Sequence, residues 1–364
     1  MIRATAVIKS RMRVLVAGLA GLLLVSALAV TDQTPASAQT DPFVLIWSGD
    51  VSPPTNEGRG DDYGTAEVIL AQQPDLVCLA GDDQYETGSG AMFNSPVGFH
   101  GSWGRFKALI KCPARGNHDV GDPGPGAPGW WGYFGDQLRN LPCTNAPTPC
   151  RPEEGYFVLD LDVNNDGRLD WFIVALDSNC GRVSGATGDS ATPSCANDSP
   201  QINWLRSVFA ARHGGANSGR KCSAMIWHHE RWGTGFFNDD PAMTYAVQVG
   251  NHYHNDLLLA GHTHSMARLG AMTWDGHLSS TSAGQRQITA GAAGRSLTAN
   301  RVDPPREGTR WRQNTQYGVN KLTLTTSTST AGWEGGTWKS EMLLVGQGPP
   351  SPIVVDPAQA GCWP

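Results

Sequence analysis

The sequence predicts an α/β fold, and two observations lead to that class. Short apolar runs that are typical of buried strands alternate along the chain with segments whose apolar residues recur at helical spacing. Five of the apolar runs also end in carboxylate, amide or imidazole side chains, most often directly after a glycine. Because parallel strands place their carboxyl ends at one edge of a sheet, we expect these polar side chains to meet there, where open α/β folds bind ligands.

The second of these runs shows the pattern most clearly. Leu76–Ala80 is continuously apolar, as expected for a strand buried on both faces, and it stops at Gly81 and Asp82, with Tyr85 three residues after Asp82. The five predicted strands of this kind are Phe43–Ser48, Leu76–Ala80, Ile110–Arg115, Ser223–Trp227 and Asp256–Ala260.

The remaining elements follow from the same two periodicities. Helical spacing predicts helices over Thr65–Gln73, Ser199–Ala211 and Pro241–Gly250. Residues 120–150 are predicted to form a long Gly- and Pro-rich loop with four aromatic residues, which either covers the site or packs against the core. Further strands are predicted over Tyr156–Leu161, Trp171–Leu176, Ser280–Thr289, Val319–Thr328 and Ser340–Val345.

The N-terminal segment has the features of a secretory signal peptide. Four basic residues precede an apolar run over Val14–Val30, and Ala36-Ser37-Ala38 follows as a cleavage sequence. The alternative, an uncleaved membrane anchor, needs a longer apolar run. We therefore predict a signal peptide over residues 1–38, one catalytic domain over 39–345 and a Pro-rich C-terminal tail over 346–364. The mature protein is expected to be secreted and extracellular, without a membrane contact.

The charge of the chain limits its partners. The net charge is −6, and the predicted signal peptide carries a net +3, so the mature chain carries −9. A negative surface argues against nucleic acid as the main partner. A small anionic substrate remains compatible with it, because metal ions can reverse the local field. The sequence does not predict the oligomeric state.

All eight cysteines lie in the predicted mature chain, and an even number in a secreted protein indicates disulfide bonds. Cys143 with Cys150, and Cys180 with Cys195, would each close a short loop. Cys78 and Cys112 lie inside predicted strands and could equally be reduced core residues. The connectivity therefore stays open.

The segment Asp162–Asp170 joins two predicted strands and has two interpretations. Oxygen-bearing residues at alternate positions are followed by Gly167, as at the start of an EF-hand loop, but the twelfth position is Ile173 and not glutamate. The segment is either a structural calcium site or a polar hairpin loop, for which Asp-Gly is a strong signal.

The side chains at the five strand ends have the chemistry of a ligand set for two metal ions. Carboxylate, amide oxygen and imidazole are hard or borderline ligands for metal ions, and two divalent or trivalent ions about 3.5–4 Å apart form a clamp for displacement at phosphorus. Asp82 or Asp50 could bridge the ions, since a carboxylate has two oxygens. Each residue alone has an ordinary interpretation as a turn, a cap or a core side chain. Their joint occurrence at five strand ends favours a metal site.

The order of these motifs resembles the calcineurin-like metallophosphoesterases. The Gly-Asp-x-x-Tyr spacing is similar to the purple acid phosphatase branch, and Gly294-Arg295-Ser296-Leu297 resembles its secreted bacterial members. The resemblance covers roughly residues 43–300 and implies a four-layer α/β/β/α sandwich with two mixed sheets. The motifs are Gly49-Asp50, Gly81-Asp82-x-x-Tyr85, Gly116-Asn117-His118-Asp119, Trp227-His228-His229 and Gly261-His262-Thr263-His264.

The resemblance also implies a role for each site residue. Asp82 would bridge two metal ions, one of them ferric iron and the other iron, zinc or manganese. The first ion would also bind Asp50, Tyr85 and His264, and the second would also bind Asn117, His228 and His262. The candidate catalytic residues are His118, which would contact the phosphate or protonate the leaving group, and His229, which would act from outside the ligand set.

Two positions depart from the family pattern. Asp50-Val51-Ser52 stands where relatives have Asp-x-Gly or Asp-x-His, so a substrate-contacting histidine is missing there. Glu230 follows the paired histidines, where many relatives have proline.

The predicted function is hydrolysis of phosphate monoesters by attack of a metal-bound hydroxide, with a small phosphate ester as the substrate. One alternative is a phosphodiesterase or nucleotide hydrolase that uses the same site. The other is a secreted metal-binding or adhesion protein without catalysis.

Overall fold

Two β-sheets form the centre of the fold, and each mixes parallel with antiparallel strands. The structure is a computed structural model. It describes residues 42–54, 61–120, 129–145, 149–180, 195–213, 221–234, 238–280, 283–299, 303–326, 336–346 and 353–362. The predicted signal peptide lies outside the described residues.

The first sheet has six strands in the order β13-β12-β11-β1-β2-β3. Strands β1, β2 and β3 run parallel, while β11, β12 and β13 continue the sheet in antiparallel pairs. The carboxyl ends of β1 to β3 therefore lie at the same edge. The strands are β1 (Phe43–Ser48), β2 (Leu76–Ala80), β3 (Ile110–Ala114), β11 (Gly318–Thr325), β12 (Thr337–Leu344) and β13 (Ile353–Gly361).

The second sheet has seven strands in the order β10-β8-β9-β7-β6-β5-β4. Its centre, β5, β6, β7 and β9, is parallel, and antiparallel strands complete both sides. The strands are β4 (Phe157–Leu161), β5 (Trp171–Ala175), β6 (Cys222–Trp227), β7 (Leu257–Ala260), β8 (Met266–Met272), β9 (Gln285–Ala290) and β10 (Thr309–Gln313).

Helices cover the outer faces of the two stacked sheets. The sheets contact each other through β3 with β5 and through β9 with β11, and α1 packs on β11 and β12. On the second sheet, Phe209 of α4 meets Phe172 of β5 edge to face, with ring centres 5.2 Å apart. This is the predicted α/β/β/α sandwich. The helices are α1 (Asp62–Ala71), α2 (Gly90–Phe93), α3 (Trp130–Leu138), α4 (Pro200–His213) and α5 (Thr244–His252).

Helix α1 begins earlier than predicted and helix α3 was not predicted, both for identifiable reasons. Helix α1 begins before Thr65 because the Asp61 side chain accepts a hydrogen bond from the Gly64 backbone N–H and caps the helix there. Helix α3 lies within residues 120–150, where a loop was predicted. Its two glycines lower the intrinsic helix propensity, but Trp130 and Phe134 are fully buried, and this packing stabilises the helix.

The C-terminal segment is a strand of the first sheet, and this corrects the predicted tail. Strand β13 pairs with β12 along most of its length, and Cys362 directly after it is disulfide-bonded to Cys222. Proline has no backbone N–H to donate to a neighbouring strand. Pro357 is compatible with β13 because β13 is the outermost strand of its sheet and pairs on one side only.

All eight cysteines form disulfide bonds. The two short loops close as suggested, through Cys143–Cys150 and Cys180–Cys195. Cys78 and Cys112 are not reduced, because they lie directly opposite each other on β2 and β3 and form a bond.

No helix in the described part of the chain is long and apolar enough to cross a bilayer.

The Asp162–Asp170 segment is a hairpin loop in which Asp162 accepts hydrogen bonds from the backbone N–H groups of Asp166, at 3.0 Å, and Gly167, at 2.7 Å. These bonds are those of a polar turn.

Candidate metal centre

The five predicted strand ends meet at one place between the two sheets. Strands β1, β2 and β3 deliver side chains from the first sheet, and β6 and β7 deliver histidines from the second. Asp50, Asp82 and His228 are completely or almost completely buried there, and their ligand atoms lie within 4.8 Å of one another. The juxtaposition follows from the parallel order of the strands, since each carboxyl end faces the same cleft.

The glycines of the motifs allow these strand ends to approach one another. Gly81 has a φ of +80°, and a Cβ there would lie 2.6 Å from the Gly116 nitrogen. A Cβ on Gly116 would lie 2.0 Å from Asp82 Oδ1. Asp119 then joins the two loops by accepting hydrogen bonds from the backbone N–H groups of Gly116, at 2.8 Å, and Asp83, at 3.0 Å.

Four candidate ligands are held in left-handed backbone conformations that side chains rarely adopt. The φ values are 59° for Asp50, 53° for Asp82, 72° for His262 and 44° for His264. Such conformations cost about 1 kcal/mol or more each and persist where the surrounding structure fixes them, most often at functional sites. Four of the eight non-glycine residues with positive φ in the described part of the chain are thus candidate ligands.

One half of the cluster surrounds the hydroxyl of Tyr85. Tyr85 Oη lies 2.6 Å from Asp50 Oδ1, 2.8 Å from Asp82 Oδ2 and 2.9 Å from His264 Nε2. His264 Nε2 is in turn 3.2 Å from Asp50 Oδ1. Four oxygen and nitrogen atoms of the kinds that bind metal ions thus converge on one point.

The other half is formed by imidazoles. His228 Nε2 lies 3.2 Å from His262 Nδ1 and 3.2 Å from Asp82 Oδ2. Two nitrogens that bind one ion at about 2.0–2.1 Å in tetrahedral geometry are separated by about 3.3 Å, so this spacing fits a shared ion. Asp82 Oδ2 touches Tyr85 on one side and His228 on the other, and it is therefore the atom common to both halves.

Backbone carbonyls orient three of the histidines. The Nδ1 atoms of His228, His264 and His118 lie 2.8, 2.8 and 2.6 Å from the carbonyl oxygens of Ala80, Ser296 and Glu86. A carbonyl can only accept, so Nδ1 carries the proton in each case and Nε2 is the atom available to a metal or a substrate. Such support fixes ring orientation at metal sites.

The two predicted catalytic histidines lie beside the cluster. His118 Nε2 is 3.9 Å from Asp82 Oδ2, and its ring centre is 4.4 Å from that of Tyr85. The His229 ring packs against that of His262 at 4.4 Å, and the two form a possible ligand group with His228. Asn117 is exposed in the turn after β3, and its side chain makes no hydrogen bond with the described residues.

Burial and neighbouring charges together set the pKa values within the cluster. Burial raises the pKa of Asp82, but the attraction of His228 outweighs it and holds the pKa below its ordinary value. Burial lowers the pKa of His228, while Asp82 raises it, for a net pKa of about 9. Burial and His228 lower the pKa of His262 to about 4. Burial, Asp50 and Asp82 hold the pKa of the Tyr85 phenol well above its usual value. A bound cation would reverse this last shift.

The sequence between β1 and the start of β8 identifies the family. Residues 48–266 match the family model described as calcineurin-like phosphoesterase. The protein belongs to the calcineurin-like phosphoesterase family. No curated protein matches the sequence.

Among the solved structures that share the fold of this calcineurin-like phosphoesterase are two of known description. One is GAP50, described as the anchor in the inner membrane complex of Plasmodium, with 11% identity, a TM-score of 0.56, and coverage of 88% of this chain and 89% of that chain. The other is a purple acid phosphatase from yellow lupin (Lupinus luteus) seeds, with 15% identity, a TM-score of 0.56, and coverage of 89% of this chain and 55% of that chain. At these identities the similarity establishes the fold alone.

A sixth polar strand end of this phosphoesterase, not among the five predicted from the sequence, follows β5. Asp177, Ser178 and Asn179 follow the apolar strand β5, the same pattern as at the other five ends. The Ser178 hydroxyl accepts a hydrogen bond from the His229 backbone N–H at 3.0 Å and lies 2.9 Å from His229 Nδ1. Ser178 is therefore a positioning residue for His229, and the strand pattern was the signal that could have identified it.

Glu230, which departs from the family pattern, is a buried carboxyl group. It is 2% exposed, and its Oε2 accepts a hydrogen bond from the Thr289 hydroxyl at 2.9 Å. Burial raises its pKa to about 8. The unfolded chain loses this proton near the ordinary glutamate value of about 4.3. Between these two values the folded state binds more protons than the unfolded state, so this group makes the protein less stable as the pH rises.

We expect Glu230→Gln to remove this pH dependence, because glutamine keeps an acceptor for Thr289 and cannot ionise. Between pH 5 and pH 8, the free energy of unfolding of the wild type should fall by roughly 3 kcal/mol relative to that of the variant. Urea unfolding of both proteins across this range measures the difference. The exposed Glu307→Gln is the matched control. Parallel pH profiles for the wild type and Glu230→Gln would contradict the assignment.

Proposed function

We propose that this protein hydrolyses phosphate monoesters at a centre of two metal ions. The observation that carries the proposal is the position of Asp82 Oδ2, 2.8 Å from Tyr85 Oη and 3.2 Å from His228 Nε2, between two sets of buried ligand atoms. When bound, two ions would activate a water molecule and neutralise charge on the phosphoryl group.

The donor set fits two ions of different character. Asp50, Tyr85 and His264 offer hard oxygens and one imidazole, which suit ferric iron. The second position would be held by His228 and His262, with Asn117 as the amide ligand that the family motif implies; imidazole nitrogens suit iron, zinc or manganese. Asp82 would be the shared ligand.

His118 is the residue that we propose for contact with the substrate. Its Nδ1–H is occupied by the Glu86 carbonyl, so Nε2 faces the buried cluster. In its protonated form, Nε2–H donates to a phosphoryl oxygen or passes its proton to the leaving oxygen. His229, held by Ser178 and packed on His262, would orient that neighbouring ligand.

We expect the purified protein to contain about two transition-metal ions per chain and to prefer a monoester substrate. A monoester dianion gains more than a singly charged diester from two adjacent cations. We therefore predict that kcat/KM for p-nitrophenyl phosphate exceeds that for bis(p-nitrophenyl) phosphate by about tenfold or more. Metal content is measured by mass spectrometry and turnover by release of nitrophenol. The reverse preference would make the protein a phosphodiesterase or nucleotide hydrolase.

A second candidate function, that of a non-catalytic binding protein, has one observation in its favour. GAP50, described as an anchor, shares the fold over 88% of this chain. The same experiment separates the candidates, because two bound ions without turnover of either ester would favour the non-catalytic function.

We also propose that the protein is exported and acts outside the cytoplasm. Four disulfide bonds support this, since such bonds form and persist in oxidising compartments. Cleavage after Ala38 would leave Gln39 as the N-terminal residue, which N-terminal sequencing of the exported chain checks.

A further inference from the structure

An arginine, a glutamate and a histidine lie beside the candidate metal centre and are partly exposed. Arg295, Glu86 and His118 have side chains that are 16%, 44% and 30% exposed, whereas Asp50 and Asp82 beneath them are buried. We call these three residues the rim. The rim therefore offers one cation and one anion to a ligand that enters the centre on this side.

Arg295 is held in the rim by its backbone and by the Tyr85 ring. Its N–H donates to the Asp50 carbonyl at 2.9 Å, and its guanidinium carbon lies 4.9 Å from the centre of the Tyr85 ring. Gly294 permits this close approach, because a Cβ there would lie 2.2 Å from the Val51 carbonyl oxygen. The same Tyr85 ring carries the hydroxyl that contacts Asp50 and Asp82, so the guanidinium lies next to the metal-binding cluster.

Glu86 pairs with this guanidinium. Its Oε1 lies 2.7 Å from Arg295 Nη2, while its Oε2 lies 3.5 Å from His118 Nδ1. Glu86 is thus the anion of the rim, beside a cation and a histidine. A carboxylate at this place repels an incoming phosphate. The planar guanidinium of Arg295 has a geometry that matches both carboxylate and phosphate, so the two anions can bind at the same position.

We propose that Arg295 binds the phosphoryl group of the substrate and that Glu86 competes with that group for the guanidinium. Glu86 occupies the guanidinium before the substrate arrives, and the phosphoryl oxygens replace its carboxylate on binding. The exchange favours a doubly charged monoester over a singly charged diester, because the dianion competes better for the same cation. This inference rests on the proposed function and assigns a specificity-determining residue to it.

The proposal predicts opposite effects for the two partners of the ion pair. Arg295→Gln should weaken equilibrium binding of inorganic phosphate to the metal-loaded protein about tenfold, as loss of a charged hydrogen bond does. Glu86→Gln should strengthen it about threefold, in line with the weak coupling of partly exposed charges. Isothermal titration calorimetry measures both. KM for p-nitrophenyl phosphate should move in the same directions, with a smaller change in kcat.

Two further variants complete the experiment. Arg295→Lys keeps the positive charge but lacks the planar guanidinium group. Its affinity for phosphate should lie between that of the wild type and that of Arg295→Gln. Arg105→Gln, which breaks an ion pair with Glu67 away from the centre, is the matched control and should leave phosphate binding unchanged. Metal content should be the same in all variants, because no rim residue changed here is a proposed ligand.

The outcomes separate this inference from the proposed function. Weaker phosphate binding in both Arg295→Gln and Glu86→Gln would mean that the ion pair is structural, and it would overturn the inference. Unchanged affinity in Arg295→Gln would also overturn it, while hydrolysis by the wild type would leave the proposed function intact. Opposite shifts in phosphate affinity without ester hydrolysis would support the anion site and reject the phosphatase.

Discussion

Asp82→Asn is expected to lower kcat/KM for p-nitrophenyl phosphate by about 10³-fold, the scale seen when a group that stabilises transition-state charge is lost. Asp82 Oδ2 contacts both halves of the cluster, through Tyr85 Oη at 2.8 Å and His228 Nε2 at 3.2 Å. Asparagine has the same size but lacks the charge, and its amide can offer only one acceptor oxygen. The variant should therefore also retain fewer than two metal ions.

The matched control is Asp275→Asn, which makes the same chemical change on an exposed turn. It should keep full activity and metal content. Both variants should unfold cooperatively, as monitored by circular dichroism. Turnover by Asp82→Asn at the wild-type rate with two ions bound would show that the catalytic centre lies elsewhere.

Removal of the Cys222–Cys362 disulfide is the change that we expect to affect stability most. The bond closes a loop with a sequence separation of 140 that contains no other disulfide. Loop-closure entropy assigns about 5 kcal/mol to a loop of this length. The bond joins the start of β6 to the residue after β13 and so connects the two sheets. It lies at the N-terminal end of β6, whereas His228 follows the C-terminal end of the same strand. The double serine variant should lose stability but keep its ester preference at low temperature.

The Cys143–Cys150 bond provides the comparison. Its sequence separation is only 7, so its loop entropy is about 2.5 kcal/mol, half of that for the long loop. In denaturant unfolding, the free energy of unfolding of the Cys222/Cys362 double serine variant should be about 2.5 kcal/mol lower than that of the Cys143/Cys150 double serine variant. Equal losses would mean that local packing, rather than loop length, determines the contribution of the long-range bond.

The sequence by itself determined the fold class and most of the strands that form the site. Continuous apolar runs such as β1 and β2 were predicted at the observed bounds, since burial on both faces of a parallel sheet requires them. The glycines that precede Asp50 and Asp82 marked the strand ends. This was possible because these features are local: a strand, a tight turn and the ligand after it all lie within about ten residues of one another.

Strands with weaker local patterns were not predicted. Strand β10 has only intermediate or exposed residues and lies at an edge of its sheet, and β13 contains a proline. Helix α3 contains two glycines and is stabilised by buried aromatic residues. In each case the energy that forms the element comes from partners distant in sequence, so the local signal is weak.

The tertiary structure alone decided the distances within the centre and which residues contact it from outside the five motifs. The distances that place Asp82 Oδ2 between Tyr85 and His228 depend on how β2 and β6 of different sheets face each other. The pairing of Arg295 with Glu86 likewise joins loops from the two halves of the chain. Local periodicity carries no information about such contacts, because they are set by the packing of the sheets and not by the spacing of residues along the chain.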